Sequence, residues 1–198
     1  LVGDAQSVSI TTQPGDTQAG ENLTGPPIVE AQDGNGEAVP NIDISAAANG
    51  SGTLAGNTTI ISNSTGQAVF DDLQLDTAED GYTINFTISA GDTNVLTNDL
   101  AESASFDVTA GNATSLEVAT EPNSTQSAGE DLTGPPTAQA TDALGNGVPN
   151  VVINVTATGG AGSITDGDRN VSTNASGNAT FGDLEIEDAD TGYVLNFS

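Results

Sequence analysis

The side chains in this sequence that could carry chemistry are mostly asparagine carboxamides. Twelve of its eighteen asparagines stand in Asn-x-Ser/Thr triplets, and none of these triplets has proline at its centre. Ser and Thr make up 42 of the 198 residues, so about four asparagines would fall in such a triplet by chance. The triplet is the acceptor for N-linked glycan, which is added at exposed sites of exported chains. The candidate acceptors are Asn22, Asn49, Asn57, Asn63, Asn85, Asn112, Asn123, Asn154, Asn170, Asn174, Asn178 and Asn196.

Catalytic chemistry is poorly supplied. The chain has no histidine and no cysteine, and Arg169 is its one basic residue. This composition removes the common pairs of nucleophile and base, and it leaves neither disulfides nor thiol chemistry. A carboxylate pair of the kind that hydrolyses glycosides is still allowed. However, acidic residues spread along the whole chain are typical of a solvated surface. The sequence therefore predicts no enzyme and no catalytic cofactor.

Calcium is the candidate cation, because hard cations bind carboxylate and carbonyl oxygens. Asp33 and Asp142 begin two oxygen-rich turns, and Asp72 and Asp183 follow a predicted strand in each half of the chain. None of the four has the spacing of a known calcium loop. Asp-Gly and Asn-Gly are also ordinary hairpin residues. Both interpretations, calcium ligand and simple turn, stay open for these positions.

The charge is almost entirely of one sign. Twenty-eight acidic residues face one arginine, which gives a formal net charge of −27. Such a surface repels itself, and this repulsion disappears in about 1 M salt, where the Debye length is near 3 Å. The sequence therefore predicts a protein of concentrated brine, as in haloarchaea. The alternative is an acidic bacterial surface protein in ordinary salt. Nucleic-acid binding is excluded because nothing here can neutralise phosphates.

The chain repeats itself with a period of about 110 residues. AGENLTGPP at 19–27 returns as AGEDLTGPP at 128–136, and GQAVFDDL at 66–73 returns as GNATFGDL at 177–184. A period of this length fits a whole domain rather than the shorter unit of a solenoid.

Each copy consists of short alternating runs that are broken by Gly, Asn, Asp and Pro, a pattern that predicts antiparallel strands. Seven strands in about 100 residues is the count of an immunoglobulin-like sandwich. The predicted fold is all-β, with two tandem immunoglobulin-like sandwiches at 1–110 and 111–198. The strands of the first copy are expected near 6–12, 27–33, 41–47, 53–61, 67–75, 82–89 and 102–109.

Strand alternation can be compared with the positions of the sequons. In the run 82–88 the apolar residues share one face, which leaves Asn85 on the other. The same alternation turns Asn154 and Asn178 outward in the second copy. We therefore expect glycan on these three asparagines in particular.

The two ends of the sequence suggest a longer array. Residues 1–5 match the stretch 109–113 between the two copies, and Ser198 aligns with Thr87 inside the sixth strand. The counterpart of 103–108 is missing, so the second sandwich is expected to lack its last strand. That strand would come from residues beyond Ser198 or from a neighbouring subunit, by strand complementation. No signal peptide and no stretch long enough to insert into a membrane is evident.

The repeat resembles a known family. The matching features are the AGxxLTGPP opening, the turn and strand at 142–151, the segment 176–181, and the Gly-Tyr pairs that contain Tyr82 and Tyr193. They are similar to the Ig-like domains of bacterial and archaeal surface adhesins, the group that includes the invasin and intimin modules. The resemblance implies an extracellular, cell-surface location and a tyrosine whose hydroxyl binds nearby backbone. The absent lysine and the many sequons favour a haloarchaeal surface glycoprotein, pilus or filament subunit.

Three functions remain open. The first is a structural module of an extracellular filament, stalk or surface layer, with neighbouring repeats or subunits as partners and covalent N-linked glycans on its surface. The second is the binding module of an adhesin. The third is a non-catalytic appendage of a secreted halophilic enzyme. Two similar copies without a distinctive loop favour the first.

Overall fold

The computed structural model describes residues 4–90 and 100–198. The chain divides into two compact units, Leu1–Thr109 and Ala110–Ser198, which we call domain 1 and domain 2. Each is built from β-strands, and the predicted all-β fold with immunoglobulin-like sandwiches is confirmed. Within the described residues, no helix is long and apolar enough to cross a membrane. The similarity of residues 1–3 to the stretch between the copies concerns residues outside the described part.

Domain 1 contains two packed sheets. One has the strand order β1-β3-β7, and the other has the order β2-β11-β9-β4-β6, with β10 also paired to β9. The short strands β5 and β8 pair with each other at one end. The strands are β1 Ser7–Thr12, β2 Thr17–Gln18, β3 Ile28–Gln32, β4 Asp43–Asn49, β5 Leu54–Ala55, β6 Thr59–Ile61, β7 Gln67–Val69, β8 Gln74–Leu75, β9 Glu79–Ala90, β10 Leu100–Glu102 and β11 Phe106–Thr109.

The core of domain 1 follows the predicted alternation in β9. Tyr82, Ile84 and Phe86 point inward and are at most 1% exposed. The Phe86 ring packs against Phe70 from the opposite sheet, with ring centroids 5.1 Å apart. Burial of such large apolar side chains is the main favourable term in folding, so this strand anchors the sandwich.

Domain 2 repeats this plan with fewer strands. Its sheets have the orders β12-β13-β17 and β16-β14-β19, and β15 pairs with β18. Phe181 and Phe197 form the counterpart of the Phe70–Phe86 pair, with centroids 5.3 Å apart. Within residues 110–198 no strand lies beside β19 opposite β14, as predicted. The strands are β12 Ser115–Thr120, β13 Thr137–Thr141, β14 Val152–Thr158, β15 Ile164–Asp166, β16 Asn170–Ser172, β17 Asn178–Thr180, β18 Glu185–Ile186 and β19 Val194–Phe197.

The tyrosine in each domain binds backbone, as the resemblance implies. The Tyr82 hydroxyl donates to the carbonyl of Thr77 at 3.1 Å and accepts the N–H of Gly52 at 2.9 Å. The Tyr193 hydroxyl makes the same two bonds in domain 2, donating to the Asp188 carbonyl at 3.0 Å and accepting from Gly162 at 2.9 Å. Each hydroxyl therefore satisfies backbone groups from two separate loops.

The repeated Val-Pro-Asn motif forms a left-handed turn. Asn41 and Asn150 both have φ of 62°, a conformation that asparagine tolerates better than most residues. A buried hydroxyl binds the residue after each turn. Ser62 Oγ accepts the N–H of Ile42 in domain 1, and Thr173 Oγ1 accepts the N–H of Val151 in domain 2. The repeated asparagine is therefore explained by the left-handed backbone conformation of this turn.

Three predicted strands are wrong as continuous elements. The region 53–61 splits into β5 and β6, which pair with different strands, because Gly56 has φ of +97° and packs closely on the Asp72 carbonyl. The region 67–75 splits in the same way into β7 and β8. The region 102–109 is interrupted where the buried Ser103 hydroxyl accepts the N–H of Ile84. The structure also adds β2, which pairs in parallel with β11 and was not predicted.

Candidate glycan acceptors and metal ligands

One sequon lies in the same loop of both domains. In domain 1, Asn63 Oδ1 accepts the backbone N–H groups two and four residues further on, at 2.8 and 3.1 Å. In domain 2, Asn174 Oδ1 accepts the equivalent groups at 2.9 and 3.0 Å. Both side chains are exposed. The two loops are therefore asparagine-capped turns that hold the carboxamide in a fixed orientation.

The turn leaves the reactive nitrogen free. Each carboxamide closes the turn with its oxygen, and among the described residues Nδ2 of Asn63 and Nδ2 of Asn174 donate no hydrogen bond. The glycines that follow, Gly66 and Gly177, have φ of 75° and 77° and complete the reversal. The sequence signal that distinguishes these sequons is the glycine after the Ser or Thr, which strand alternation does not consider.

Five other exposed sequons already use their nitrogen. Asn49 Nδ2 donates to Thr83 Oγ1 at 3.0 Å and to Glu102 Oε1 at 3.3 Å, and Asn57 Nδ2 donates to Asp72 Oδ2 at 2.7 Å. Glycan transfer to these sites would have to displace the existing bonds. The remaining members of the group are Asn22, bound to the Asp71 carbonyl, Asn123, bound to Thr133 Oγ1, and Asn196, bound to Thr158 Oγ1.

The three asparagines expected to carry glycan on grounds of alternation are only half-exposed. Asn85, Asn154 and Asn178 face outward, but neighbouring strands cover part of each side chain. Asn85 Oδ1 is buried and accepts no hydrogen bond among the described residues. Asn154 Nδ2 donates to the Arg169 carbonyl at 3.2 Å and to Asn170 Oδ1 at 3.0 Å. Alternation predicted the face correctly, but it did not predict the crowding on that face.

Asn112 and Asn170 complete the set of twelve. Both are exposed, and neither Nδ2 donates a hydrogen bond within the described part of the chain. Asn170 differs from Asn112 because its Oδ1 accepts from Asn154, which ties two neighbouring sequons together. Their availability is therefore comparable to that of the two loop sequons, but neither has its carboxamide held in a turn.

The Asp142 carboxylate is occupied by backbone and amide donors. Oδ1 accepts the N–H groups of Leu144 and Asn146 at 2.9 Å each, and Oδ2 accepts Gly111 N–H at 2.9 Å and Asn146 Nδ2 at 3.0 Å. Desolvation would raise the pKa of Asp142, but these bonds outweigh it and hold the pKa below its usual value. Asp33 caps the equivalent turn of domain 1. Both carboxylates are therefore parts of the turns.

Asp72 and Asp183 also bind neighbouring loops. Asp72 receives both the backbone N–H and the side-chain amide of Asn57, at 3.0 and 2.7 Å. Asp183 accepts the N–H of Asp168 at 3.1 Å. Across the described residues, no three acidic side chains come together as a metal ligand set. Calcium binding by Asp33, Asp72, Asp142 or Asp183 stays a prediction, and the contacts of these carboxylates give it no further support.

The structure also shows an uncovered apolar surface that the sequence did not predict. In β12, Leu116 and Val118 are 39% and 41% exposed. A cleft of about 250 Å³ lies beside the start of β12 and is lined by Leu116, Ile153 and Ser198 among others. In domain 1 the equivalent strand β1 packs Val8 and Ile10 against the core.

No known family model matches the chain, and no curated protein matches it. Among solved structures, it is similar to the D0-D1 domain of Intimin, with a TM-score of 0.36 and 15% sequence identity. That match covers 96% of this chain and 89% of the other. A likeness at this level carries no functional conclusion, so the immunoglobulin-like class rests on the sheets described above. The haloarchaeal origin stays a prediction.

Proposed function

We propose that the chain is a structural repeat module of an extracellular, N-glycosylated filament, stalk or surface layer that works in high salt. The observation that carries the proposal is the matched pair Asn63 and Asn174. Two domains that differ in many surface residues keep the same turn, the same sequon and the same free Nδ2. In domain 1 the Thr65 hydroxyl also donates to Asn63 Oδ1 at 2.7 Å, but in the described part of domain 2 the same turn closes without that bond from Ser176. The turn therefore does not require the hydroxyl, and its presence in both domains supports glycan transfer.

The chemistry of transfer explains why a free nitrogen matters. The new bond joins Nδ2 to the anomeric carbon of a phosphate-activated sugar donor. The bond from that carbon to the donor's phosphate oxygen breaks, the phosphate leaves with the bonding electrons, and Nδ2 gives up one proton. A nitrogen that faces solvent can be approached directly. Asn49 Nδ2, by contrast, already donates to two acceptors. The structure therefore supports an order of occupancy in which Asn63 and Asn174 come first, and Asn49 comes late.

The charge supports the high-salt part of the proposal. Sixteen of the 28 acidic residues fall within 1–109 and twelve within 110–198, so both domains are strongly acidic. A charge carried by one domain alone would suggest a binding surface. A charge shared by both domains belongs to the whole surface, and it supports an environment whose salt screens that charge.

Glycopeptide mass spectrometry on the chain, produced in a haloarchaeal host that glycosylates asparagine, tests the proposal. We expect modified peptides at Asn63 and Asn174. The variants Asn63→Gln and Asn174→Gln should each lower the intact mass by one glycan. The matched control is Asn49→Gln, which should leave the glycan mass nearly unchanged. Unmodified peptides across all twelve sequons would contradict the proposal.

A further inference from the structure

Two sequons of domain 2 face each other across neighbouring strands. Asn154 of β14 and Asn170 of β16 are opposite residues in the register of these strands. The next pair along the ladder is hydrogen-bonded, because the backbone N–H of Val155 donates to the carbonyl of Arg169 at 2.9 Å. Bonded and non-bonded pairs alternate, so the two asparagines form a non-hydrogen-bonded pair, in which the Cα atoms are about 4.5 Å apart and the side chains lie close together. The two carboxamides therefore share one small area of the outer sheet face.

The two carboxamides use their nitrogens differently. Asn154 Nδ2 donates to Asn170 Oδ1 at 3.0 Å and to the carbonyl of Arg169 at 3.2 Å. Asn170 enters the contact through its oxygen, and within the described part of the chain its Nδ2 donates no hydrogen bond. Asn154 is also half-buried, whereas Asn170 is exposed. The nitrogen of Asn170 is therefore the one that a sugar donor can approach directly.

The contact between these strands does not itself require asparagine. Ser45 and Thr59 occupy the equivalent positions of domain 1, opposite each other in β4 and β6, and their hydroxyl oxygens are hydrogen-bonded at 3.0 Å. Two hydroxyls are thus sufficient for this cross-strand bond. Domain 2 nevertheless has a complete sequon on each strand, at 154–156 and 170–172. The pair of sequons therefore points to a role beyond holding the strands together.

Transfer of a sugar has different consequences at the two nitrogens. At either one, the bond from the anomeric carbon to the phosphate of the donor breaks, the phosphate leaves with the bonding electrons, and the sugar replaces one Nδ2 proton. At Asn154 this change would disrupt a hydrogen bond, because its Nδ2 donates to two acceptors. At Asn170 the Oδ1 stays bound to Asn154, and among the described residues no group accepts from the nitrogen that reacts. Asn170 is therefore the favoured acceptor.

A sugar on Asn170 would also cover its neighbour. Opposite side chains of an antiparallel pair have Cβ atoms about 4.5–5.5 Å apart, and a pyranose ring with its substituents is wider than this separation. The sugar would be attached to the same carboxamide whose oxygen binds Asn154 Nδ2. A second sugar on Asn154 would need the space that the first one fills.

We propose that Asn154 and Asn170 are an exclusive pair of glycan acceptors, in which Asn170 carries the sugar and keeps Asn154 unmodified. The exclusion acts through the hydrogen bond between the carboxamides and through the bulk of the sugar. This inference rests on the proposed function, since it needs a chain that is N-glycosylated. Occupancy of one sequon would regulate occupancy of the other, and each molecule would carry one glycan at this position. Strand alternation alone does not give this order, because it considers the face of a residue and not its partner on the next strand.

The test is glycopeptide mass spectrometry on the full chain, produced in a haloarchaeal host that glycosylates asparagine. Cleavage after glutamate leaves both sequons on one peptide, 131–185, so molecules with two sugars can be recognised. Further cleavage at Arg169, the one basic residue of the chain, separates Asn154 from Asn170. We expect sugar on Asn170, and no molecule in which both asparagines are modified.

Two variants separate the effect of the sugar from that of the hydrogen bond. Ser172→Ala abolishes the sequon of Asn170 but keeps its carboxamide, whereas Asn170→Ala removes both the sugar and the acceptor of the bond from Asn154. We expect sugar on Asn154 to appear in Ser172→Ala and to rise by about a further fivefold in Asn170→Ala, the factor for release of one hydrogen bond. The matched control is Thr156→Ala, which abolishes the sequon of Asn154 and should leave occupancy of Asn170 unchanged. Ser172 and Thr156 are exposed, so neither change disturbs the core.

The inference holds if Asn170 alone is modified in the native chain and Asn154 becomes modified in at least one of the two variants. Sugar on both asparagines of one molecule, sugar on Asn154 alone, or an Asn154 that stays unmodified in both variants would overturn it. In each of these cases sugar on Asn63 and Asn174 would leave the proposed function intact. Unmodified peptides at all twelve sequons would overturn both, so the two failures are distinguishable.

Discussion

Tyr82 and Tyr193 occupy the same corner in two copies of one module, but their surroundings differ. Each hydroxyl binds the same two kinds of backbone group. Tyr82 is nevertheless only 1% exposed, whereas Tyr193 is half-buried. Among the described residues, domain 1 buries nineteen apolar residues in its core and domain 2 buries ten. Tyr193, just before β19, thus makes the same two hydrogen bonds without the cover that surrounds Tyr82.

This difference separates features that depend on nearby residues from features that depend on distant strands. The turns, the capped loops and the tyrosine hydrogen bonds are of the first kind, and both domains have them. The burial of the tyrosine ring is of the second kind, because it depends on β10 and β11 lying beside β9. Within the described residues, domain 2 therefore has the local features of the module without that cover.

The largest expected effect comes from lowering the salt concentration, which should destabilise the two domains to different degrees. Both domains carry a large excess of acid, but domain 2 has the smaller core to oppose the repulsion. As NaCl falls from about 2 M toward about 0.1 M, where the Debye length reaches about 10 Å, we expect domain 2 to unfold first and domain 1 to follow. Circular dichroism combined with hydrogen exchange resolved by peptide measures both transitions. Two fully folded domains below about 0.1 M would contradict this prediction and the assignment to brine.

The second prediction makes domain 1 resemble domain 2. Phe106→Ala removes the ring that stacks on Tyr82 and leaves a cavity in a buried position. We expect domain 1 to lose about 3–5 kcal/mol of unfolding free energy. Urea unfolding in about 2 M NaCl measures the loss. The control is Ile61→Ala, a 62% exposed residue of the same domain, for which we expect a change within about 0.5 kcal/mol. A loss below that of the control would mean that Phe106 is not part of the core.

Much of the fold could be predicted from sequence because it depends on local pattern. The alternation in 82–88 identified the buried face of β9, and the 110-residue period identified two copies of one sandwich. The breaks at Gly56 and Ser103 were missed. Each depends on contact with a residue distant in the chain, Asp72 in the first case and Ile84 in the second.

The candidate glycan acceptors also show what a local sequence pattern predicts and what it does not. Alternation indicates which face a side chain is on, and it placed Asn85 outward. It cannot show that neighbours on adjacent strands cover part of that side chain. The turns at Asn63 and Asn174 were predictable in principle from the glycine that follows each sequon. The exposure of Leu116 was not predictable, since it depends on what covers β12.

The third prediction concerns acid. Hydrogen bonds hold the pKa of Asp142 below its usual value, so its contribution to stability is present above about pH 3.9, the ordinary value of an aspartate, and is lost as pH falls through the folded pKa. Asp142→Asn places an amide donor against N–H donors. It should cost domain 2 about 1–3 kcal/mol at neutral pH and reduce the dependence on acid. Urea unfolding of domain 2 between about pH 2 and pH 7 measures both effects. An unchanged acid dependence in the variant would exclude this role.

The smallest expected effect is also the most direct comparison of the two corners. Tyr82→Phe removes a hydroxyl that bridges Gly52 and Thr77 beside a buried ring, where burial raises the pKa of Tyr82 and keeps it protonated. The groups left behind are poorly reached by water, so we expect a loss of about 1–2 kcal/mol in domain 1. Tyr193→Phe breaks the same two bonds at a corner that water can reach, and we expect a loss of about 0.5 kcal/mol or less. Both are measured by urea unfolding at fixed salt. If the two losses were equal, water would reach the groups around Tyr193 no more easily than those around Tyr82. The proposed difference between the two domains would then be wrong.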